Sequence, residues 1–473
     1  MKNKNFILGF CCILIFILIV FPKMINHTPN QQEVQHYMSA YFMNTSNFME
    51  ILNHNGSTIL WYLIMMPFAK TDTAYPYPMY FISFGFMLAS LLLMWIKAPF
   101  NNFIKIAVTF SVMFVSYFGI FARWYTMGIF ALFLTAALSK DQLKRPVIYS
   151  IAASFAMHSN TFAAIGASGL IIPFVCNLIK NKDKTGIKSV IISLSILAAS
   201  ICLLIIPHHT FYFNSYPDAD TFWQNCVLGF IQNFEPKIFV LSYFLVLFFL
   251  LFIPPDKNNK TLDIQSKFFL LYTFAAMWIF SRYFFNLAFM HQYYFFIFII
   301  AAMWMQDKFK DFKPKYLIFY AVFAVMLYSI QIPYFCEGIK EVYDYGRKIQ
   351  QNEEMFENST VIFTGYPDMH LYSLAPMLIH KKGISIYSGN HPYDFISYYR
   401  CPRIEDIRGF IEDKKSPVFL FADRERKEPF ITDAEEEVIP EKYMYNRPYK
   451  PDYENKYFYE HPDNSPLFIY KLK

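Results

Sequence analysis

The residues best suited to chemistry are ionisable side chains that interrupt or border strongly apolar segments. They are Glu33, Glu50, His54, Arg123, His158 and Arg282. A carboxylate can take a proton from a hydroxyl group as a general base, and an arginine can bind two phosphate oxygens through its planar guanidinium group. Ionisable groups at membrane depth are costly to bury and usually mark function. These residue types predict a site that holds a phosphate while a hydroxyl group is deprotonated.

The composition places these residues in a membrane protein. The chain has 473 residues, of which 55% are hydrophobic, 20% are aromatic and only 16% are charged, whereas soluble domains carry about 25% charged residues. The formal net charge is +6, but the basic residues occur in short runs between apolar segments, as in membrane proteins. We therefore expect membrane lipids as partners and no binding to nucleic acid.

Crossing a bilayer takes about 20 apolar residues, and eleven segments are candidates. They are 5–22, 79–97, 104–121, 124–139, 146–158, 161–179, 188–206, 237–254, 268–284, 287–305 and 315–333. The first segment is similar to a signal peptide, but no small-x-small cleavage site follows it, so we predict an uncleaved helix. Residues 57–69 are apolar but too short to cross, and they predict a helix at the outer surface.

The basic residues also predict the orientation of the spans. With a cytoplasmic N-terminus, the inner loops hold eighteen Lys and Arg residues and the outer segments hold five, as the positive-inside rule requires. We expect a multi-pass protein of the bacterial inner membrane, with outer loops at 23–78 and 207–236. In the first of these loops, PNQQEVQHYMSAYF predicts an amphipathic helix that rests on the membrane.

The composition changes after the last span. Residues 337–473 are rich in charge, proline and tyrosine, and contain the β-type runs STVIFTG, GISIYSG, SPVFLFAD and PLFIYKL, with the helical pattern RIEDIRGFIED between them. We predict a transmembrane domain at 1–336, followed by a small extracytoplasmic α/β domain at 337–473. On that side of the membrane, Cys336 and Cys401 could form a disulfide.

Three stretches in the first 170 or so residues carry a resemblance. His54-Asn55-Gly56-Ser57 before TILWYLIMMPF is similar to a His-Pro-Pro-Leu-x-Tyr turn, although both prolines are absent. Arg123-Trp124-Tyr125 is similar to an arginine-containing helix start, and SIAASFAMHSNTFAAIGA to the segment that follows such a helix. Together these motifs resemble the GT-C superfamily of polytopic glycosyltransferases, in particular the family 39 and dolichyl-phosphate-mannose mannosyltransferase branch, where a soluble outer tail is also common.

The resemblance implies transfer of a sugar from a polyprenyl-phosphate donor to a glycan or lipid acceptor on the outer face of the membrane. Members of the branch use a first-loop aspartate as the base. This chain has no aspartate between residues 23 and 71, so the role is assigned to Glu33. Arg123 or Arg282 would neutralise the leaving phosphate, and Mg²⁺ or Mn²⁺ could bridge that phosphate to Glu33. The remaining predicted substrate contacts are Glu50, His54 and His158.

A second resemblance keeps an alternative function open. The segment 121–165 is also similar to the arginine helix, basic loop and A-x-x-x-H-x-S pattern of EpsG-like and Wzy-type polysaccharide polymerases, which generally lack a soluble C-terminal domain. Both resemblances imply glycan assembly on a polyprenyl carrier. A transporter would need polar residues along the middle of the membrane, and the predicted helix interiors are nearly all apolar. His208, His209, Asp218 and Asp220 have the residue types of metal ligands, but their spacing fits no metal template.

Overall fold

A computed structural model describes residues 2–27, 29, 31–55, 58–71, 75–205, 237–255, 259–283, 289–329, 356–364, 378–379, 383–388, 391–392, 416–422, 436–437 and 468–471. The helices are α1 (Lys2–Ile25), α2 (Gln31–Phe42), α3 (Phe48–Asn55), α4 (Ile59–Ala69), α5 (Tyr77–Lys97), α6 (Asn102–Thr109), α7 (Tyr125–Leu138), α8 (Pro146–Ser159), α9 (Thr161–Lys180), α10 (Lys182–Thr185), α11 (Ile187–Ile205), α12 (Lys237–Phe252), α13 (Lys260–Tyr283), α14 (Phe289–Trp304) and α15 (Leu317–Tyr328). A π-helix covers Met113–Phe118.

The chain divides into two compact units. The first comprises Met1–Asn26, Thr45–Leu63 and Tyr80–Ile332. The second comprises His27–Asn44, Ile64–Met79 and Pro333–Lys473. Two stretches of the predicted first outer loop therefore group with the carboxyl-terminal residues.

Four helices in the described part of the chain are long and apolar enough to cross a membrane. They are Asn5–Ile25, Tyr77–Lys97, Thr161–Lys180 and Ile187–Ile205. They coincide with four of the predicted spans and support a helical membrane protein. Within the described residues, the helices at the other seven predicted spans do not meet this criterion of length and hydropathy, so the count of eleven and the orientation stay predictions. The predicted short helix at 57–69 is α4, whose eleven residues extend about 16 Å, well short of a bilayer.

The predicted span 104–121 is not one continuous helix. α6 ends at Thr109, and a π-helix begins four residues later. At the interruption, the hydroxyl group of Ser111 donates to the carbonyl of Val108 at 2.9 Å and accepts from the backbone N–H of Phe114 at 3.4 Å. A serine hydroxyl that bonds to nearby backbone groups competes with the regular helical ladder. The apolar composition alone gives no sign of this competition.

The first unit is a bundle in which α8 packs against α7, α9 and α11, α9 packs against α13, and α12 packs against α15. The apolar residues of α12 lie on two faces of the helix, one buried and one exposed. The large side chains on its exposed face recur every three or four residues and are Ile238, Leu241, Leu245, Phe248 and Phe252. An exposed apolar helix face of this kind suits contact with lipid.

The second unit contains a six-stranded sheet in the order β3-β2-β1-β4-β6-β5. The strands are β1 (Thr360–Thr364), β2 (Ser385–Ser388), β3 (His391–Pro392), β4 (Val418–Ala422), β5 (Glu436–Glu437) and β6 (Phe468–Lys471). Thr360 of β1 is in parallel register with Ser385 of β2 and Val418 of β4, and β6 runs antiparallel to β4. Each of the four predicted β-type runs contains one of these strands. The pattern RIEDIRGFIED, Cys336 and Cys401 lie outside the described residues.

Candidate functional site

Arg123 lies in the turn that precedes α7, in the first unit. Its residue surface is only 4% exposed, and its guanidinium carbon lies 5.5 Å from the centre of the Trp124 ring and 4.6 Å from that of Tyr125. Aromatic faces stabilise a cation most strongly where water is excluded. Arg123 therefore does not extend towards solvent, as arginines at helix ends often do, but is held as a buried cation among aromatic rings.

The backbone turn around Arg123 is held by side chains of two helices. The carbonyl of Arg123 accepts hydrogen bonds from Ser83 Oγ on α5 and Thr126 Oγ1 on α7, both at 3.4 Å. The two hydroxyl oxygens lie 3.0 Å apart, so one hydroxyl group can donate to the other in place of the carbonyl. Tyr62 on α4 meets Trp124 edge to face at 6.2 Å, which extends the aromatic surroundings. The arginine is thus positioned by a fixed polar and aromatic frame.

Asn160 joins the two sequence motifs that contain Arg123 and His158. Its Oδ1 accepts from the backbone N–H of Ala163 at 2.7 Å and so caps the start of α9. Its Nδ2 donates to the hydroxyl group of Tyr294 at 2.7 Å and to the carbonyl of Trp124 at 3.4 Å. The Tyr294 hydroxyl group donates in turn to the carbonyl of Tyr125 at 2.9 Å. This network places the Arg-Trp-Tyr turn beside the end of α8.

Gly128 makes that approach possible. A Cβ at this position would overlap Asn160 Nδ2 and would lie 2.6 Å from the Tyr294 hydroxyl oxygen. The helix α7 can therefore pack against Asn160 and Tyr294 only because residue 128 has no side chain. The absence of a side chain, not an unusual backbone angle, is what the site requires here.

His158 lies in the last turn of α8 and is half-buried. Within the described residues, its Nε2 atom is shielded from solvent and has no hydrogen-bond partner. Buried polar atoms are almost always paired, so an unpaired ring nitrogen two residues from Asn160 supports the predicted substrate contact. The contact itself stays a prediction.

Glu33 lies in the first turn of α2, in the second unit, and is fully buried. Its Oε2 lies 2.8 Å from Nε2 of His27, which is 7% exposed. An ionised carboxylate only accepts hydrogen bonds, so the imidazole N–H is the donor. The predicted amphipathic helix is α2, but it differs from the expected surface helix because Glu33 and His36 are as buried as the apolar Val34 and Tyr37.

The other predicted site residues are placed less completely. Glu50 lies in the first turn of α3 and is exposed. His54 lies near the end of α3 and Arg282 near the end of α13, but both side chains lie outside the described residues. The candidate metal ligands His208, His209, Asp218 and Asp220 lie there too. His27 and Tyr294 carry no signal in the sequence that predicts their contacts with Glu33 and Asn160. The N-cap at Asn160 does have one, because an asparagine directly before an apolar helix indicates a helix start.

The side chains that the structure describes do not form a metal site. Mg²⁺ and Mn²⁺ require several oxygen ligands, and among the described residues no three His, Cys, Asp or Glu side chains cluster in a way that could hold an ion. The predicted Mg²⁺ or Mn²⁺ ion between a phosphate and Glu33 stays a prediction.

Comparison with family models, curated proteins and solved structures finds no match to this chain. The resemblance to GT-C glycosyltransferases consequently rests on the sequence motifs alone.

Proposed function

We propose that this chain is a GT-C-like membrane glycosyltransferase that moves a sugar from a polyprenyl-phosphate donor to a hydroxyl group of a glycan or lipid acceptor on the outer face of the membrane. The observation that carries the proposal is the buried carboxylate of Glu33, held by His27 at 2.8 Å. A buried carboxylate beside a histidine is an arrangement suited to proton transfer. The four apolar helices long enough to span a bilayer support a lipid-linked donor.

In the proposed reaction, Glu33 takes the proton of the acceptor hydroxyl group, and the acceptor oxygen forms a bond to C1 of the sugar. The bond between C1 and the phosphate oxygen breaks, and polyprenyl phosphate leaves with the bonding electron pair. The configuration at C1 is inverted. His27 acts as a positioning residue because its hydrogen bond restricts the rotation of the Glu33 carboxylate.

Arg123 is the residue that we propose for the donor phosphate. Its burial among aromatic rings supports this role, because a guanidinium group in a water-excluded site attracts phosphate oxygens more strongly than one in solvent. His158 is a proposed contact of the same group, since Asn160 ties its segment to the Arg123 turn. Glu50, His54 and Arg282 stay proposed substrate contacts on the basis of the motifs.

The base assignment is tested by Glu33→Gln, with Glu357→Gln as the matched control because Glu357 is exposed in the turn before β1. The purified protein is reconstituted with polyprenyl-phosphate-linked glucose, mannose or galactose and with glycolipids extracted from the source cells. Release of polyprenyl phosphate is then measured. We expect Glu33→Gln to lower the rate by about 100-fold or more and Glu357→Gln to leave it unchanged.

Transfer by Glu33→Gln at the wild-type rate, with intact protein, would remove Glu33 as the base. Absence of transfer by the wild type with all three donors and the extracted acceptors would contradict the proposal for these substrates. Chain-length analysis of the product addresses the polymerase alternative. Long polysaccharide built from preformed repeat units would favour that alternative over single sugar transfer.

The phosphate assignment is tested by Arg123→Lys in the same reaction. Lysine keeps the charge but loses the planar pair of donors that binds two phosphate oxygens. We expect the KM for the donor to rise about tenfold, with a smaller change in kcat, as for a lost hydrogen bond to a charged group. An unchanged KM for the donor, in a variant that elutes and unfolds like the wild type, would eliminate this role.

A further inference from the structure

A polar cluster at adjoining ends of α12, α13 and α14 has no role in the proposed reaction. Asp263 Oδ2 in the first turn of α13 lies 2.7 Å from Lys308 Nζ, and both side chains are buried. Lys267 follows Asp263 by one helical turn and is half-buried. Its Nζ donates to the carbonyl of Ile253, directly after α12, at 2.8 Å. Two lysines beside one aspartate give the cluster an excess of positive charge.

Neutral side chains hold this cluster in place. Gln306 Nε2 donates to Ser266 Oγ at 2.7 Å, and Ser266 Oγ donates to the carbonyl of Ala302 at 3.0 Å. Gln142 Nε2 donates to Gln265 Oε1 at 3.0 Å. The beginning of α13 is thereby fixed to the end of α14 and to the turn that follows α7. A site fixed in this way needs little reorganisation when it binds a ligand.

Lys267 is the part of this cluster with remaining binding capacity. An ammonium group has three N–H donors, and the contact with Ile253 uses one of them. In the part of the chain that the structure describes, no carboxylate lies within ion-pair distance of Lys267 Nζ, whereas Lys308 is engaged by Asp263. A half-buried lysine with free donors is suited to an anion that approaches from outside the bundle.

The surface beside Lys267 is apolar. α12 exposes Leu245, Phe248 and Phe252, and α13 exposes Ile264, Phe268 and Leu271. The two helices run side by side, since Phe244 meets Phe274 edge to face at 5.9 Å and Lys267 reaches Ile253. A cation at the end of two exposed apolar stripes matches the chemistry of a lipid with a charged headgroup.

We propose that this surface binds an anionic phospholipid. Lys267 contacts the headgroup phosphate, and the exposed stripes of α12 and α13 contact the acyl chains. Basic pockets between membrane helices are a recurrent way of binding such headgroups. The proposal rests on the protein being in a membrane, as the proposed function does, but it does not depend on sugar transfer.

Native mass spectrometry of the purified, delipidated protein tests this assignment with phosphatidylglycerol and phosphatidylcholine that have the same acyl chains. We expect the wild type to retain phosphatidylglycerol about fivefold more tightly, the ratio that one lysine near a headgroup provides. Lys267→Gln should remove this preference, and Lys267→Arg should keep it. Lys144→Gln is the matched control, because the Lys144 side chain is 81% exposed and its pair with Asp141 spans 3.4 Å.

Equal retention of both lipids by the wild type, or an equal loss in Lys144→Gln and Lys267→Gln, would overturn the proposal. Displacement of phosphatidylglycerol by inorganic phosphate alone would overturn the lipid assignment. If Lys267→Gln fails to fold, equal retention of both lipids by the wild type, or loss of the preference in Lys267→Arg, still overturns the proposal. Glu33→Gln should show the wild-type lipid preference, so failure of the glycosyltransferase proposal would leave this result unaffected.

Discussion

Each compact unit contains a fully buried carboxylate that is paired with a basic side chain, but the two pairs differ in their partners. Glu33 in the second unit is held by His27 at 2.8 Å, and Asp263 in the first unit is held by Lys308 at 2.7 Å. A neutral imidazole ring has one nitrogen that donates a hydrogen bond and one that accepts, whereas a lysine ammonium group only donates. The two carboxylates therefore differ in the chemistry of the group that holds them.

This difference suggests that the two pairs have different tasks. The pair of Asp263 and Lys308 connects α13 to the chain beyond α14 through two opposite charges. Such a pair is suited to holding these two segments together, and we call it the structural clamp. In the pair of Glu33 and His27, the imidazole N–H holds the carboxylate that we propose as the general base.

The largest expected effect follows from removing the carboxylate of the clamp. Asp263→Asn would leave the ammonium group of Lys308 buried without its counter-charge, and breaking a buried ion pair in this way costs about 3–5 kcal/mol. We expect a large fall in the free energy of unfolding, measured by denaturant titration of the purified protein in detergent.

The double variant Asp263→Leu with Lys308→Met is the control for that measurement, because it removes both charges and leaves apolar side chains. It should recover most of the lost stability, since well-packed apolar replacements for buried ion pairs are often neutral. Wild-type stability in Asp263→Asn would show that the pair is not a clamp and would end the contrast with Glu33.

A smaller effect on stability is expected for Glu33→Gln. A glutamine is close in size to glutamate, and its side-chain oxygen can still accept a hydrogen bond from the His27 ring. We expect a loss of about 1 kcal/mol, the net contribution of a typical hydrogen bond, under the same denaturant titration. A loss as large as that of Asp263→Asn would mean that Glu33 also has a structural role. The two buried pairs would then not differ in the way that we propose.

Much of the secondary structure follows from the sequence because it depends on local pattern. Apolar runs of sufficient length indicate α1, α5, α9 and α11, and alternating or β-branched runs such as TVIFT indicate the strands of the sheet. The interruption after α6 cannot be predicted from such local patterns. It depends on whether one serine hydroxyl bonds to its own backbone, and the surrounding residues remain apolar on both sides.

The candidate site can also be predicted only in part from the sequence. Arg123 and Glu33 attract attention in the sequence because ionisable groups are costly beside apolar segments. Their surroundings are a product of the fold: Tyr294 reaches Asn160 across 134 positions of the chain, and no short-range pattern predicts that contact. His27 precedes Glu33 by six residues, and that spacing alone does not predict that its ring lies against the carboxylate.

The glycine at position 128 gives a practical signature for recognising relatives of this chain. Any homologue that keeps the hydrogen bonds among Asn160, Tyr294 and the Arg-Trp-Tyr turn must also leave residue 128 without a side chain. Arg-Trp-Tyr-x-x-Gly, followed 32 positions after the glycine by an asparagine before a helix, is therefore a fingerprint with a steric basis. An alanine at the glycine position in a distant sequence would signal that the asparagine or the tyrosine has been replaced as well.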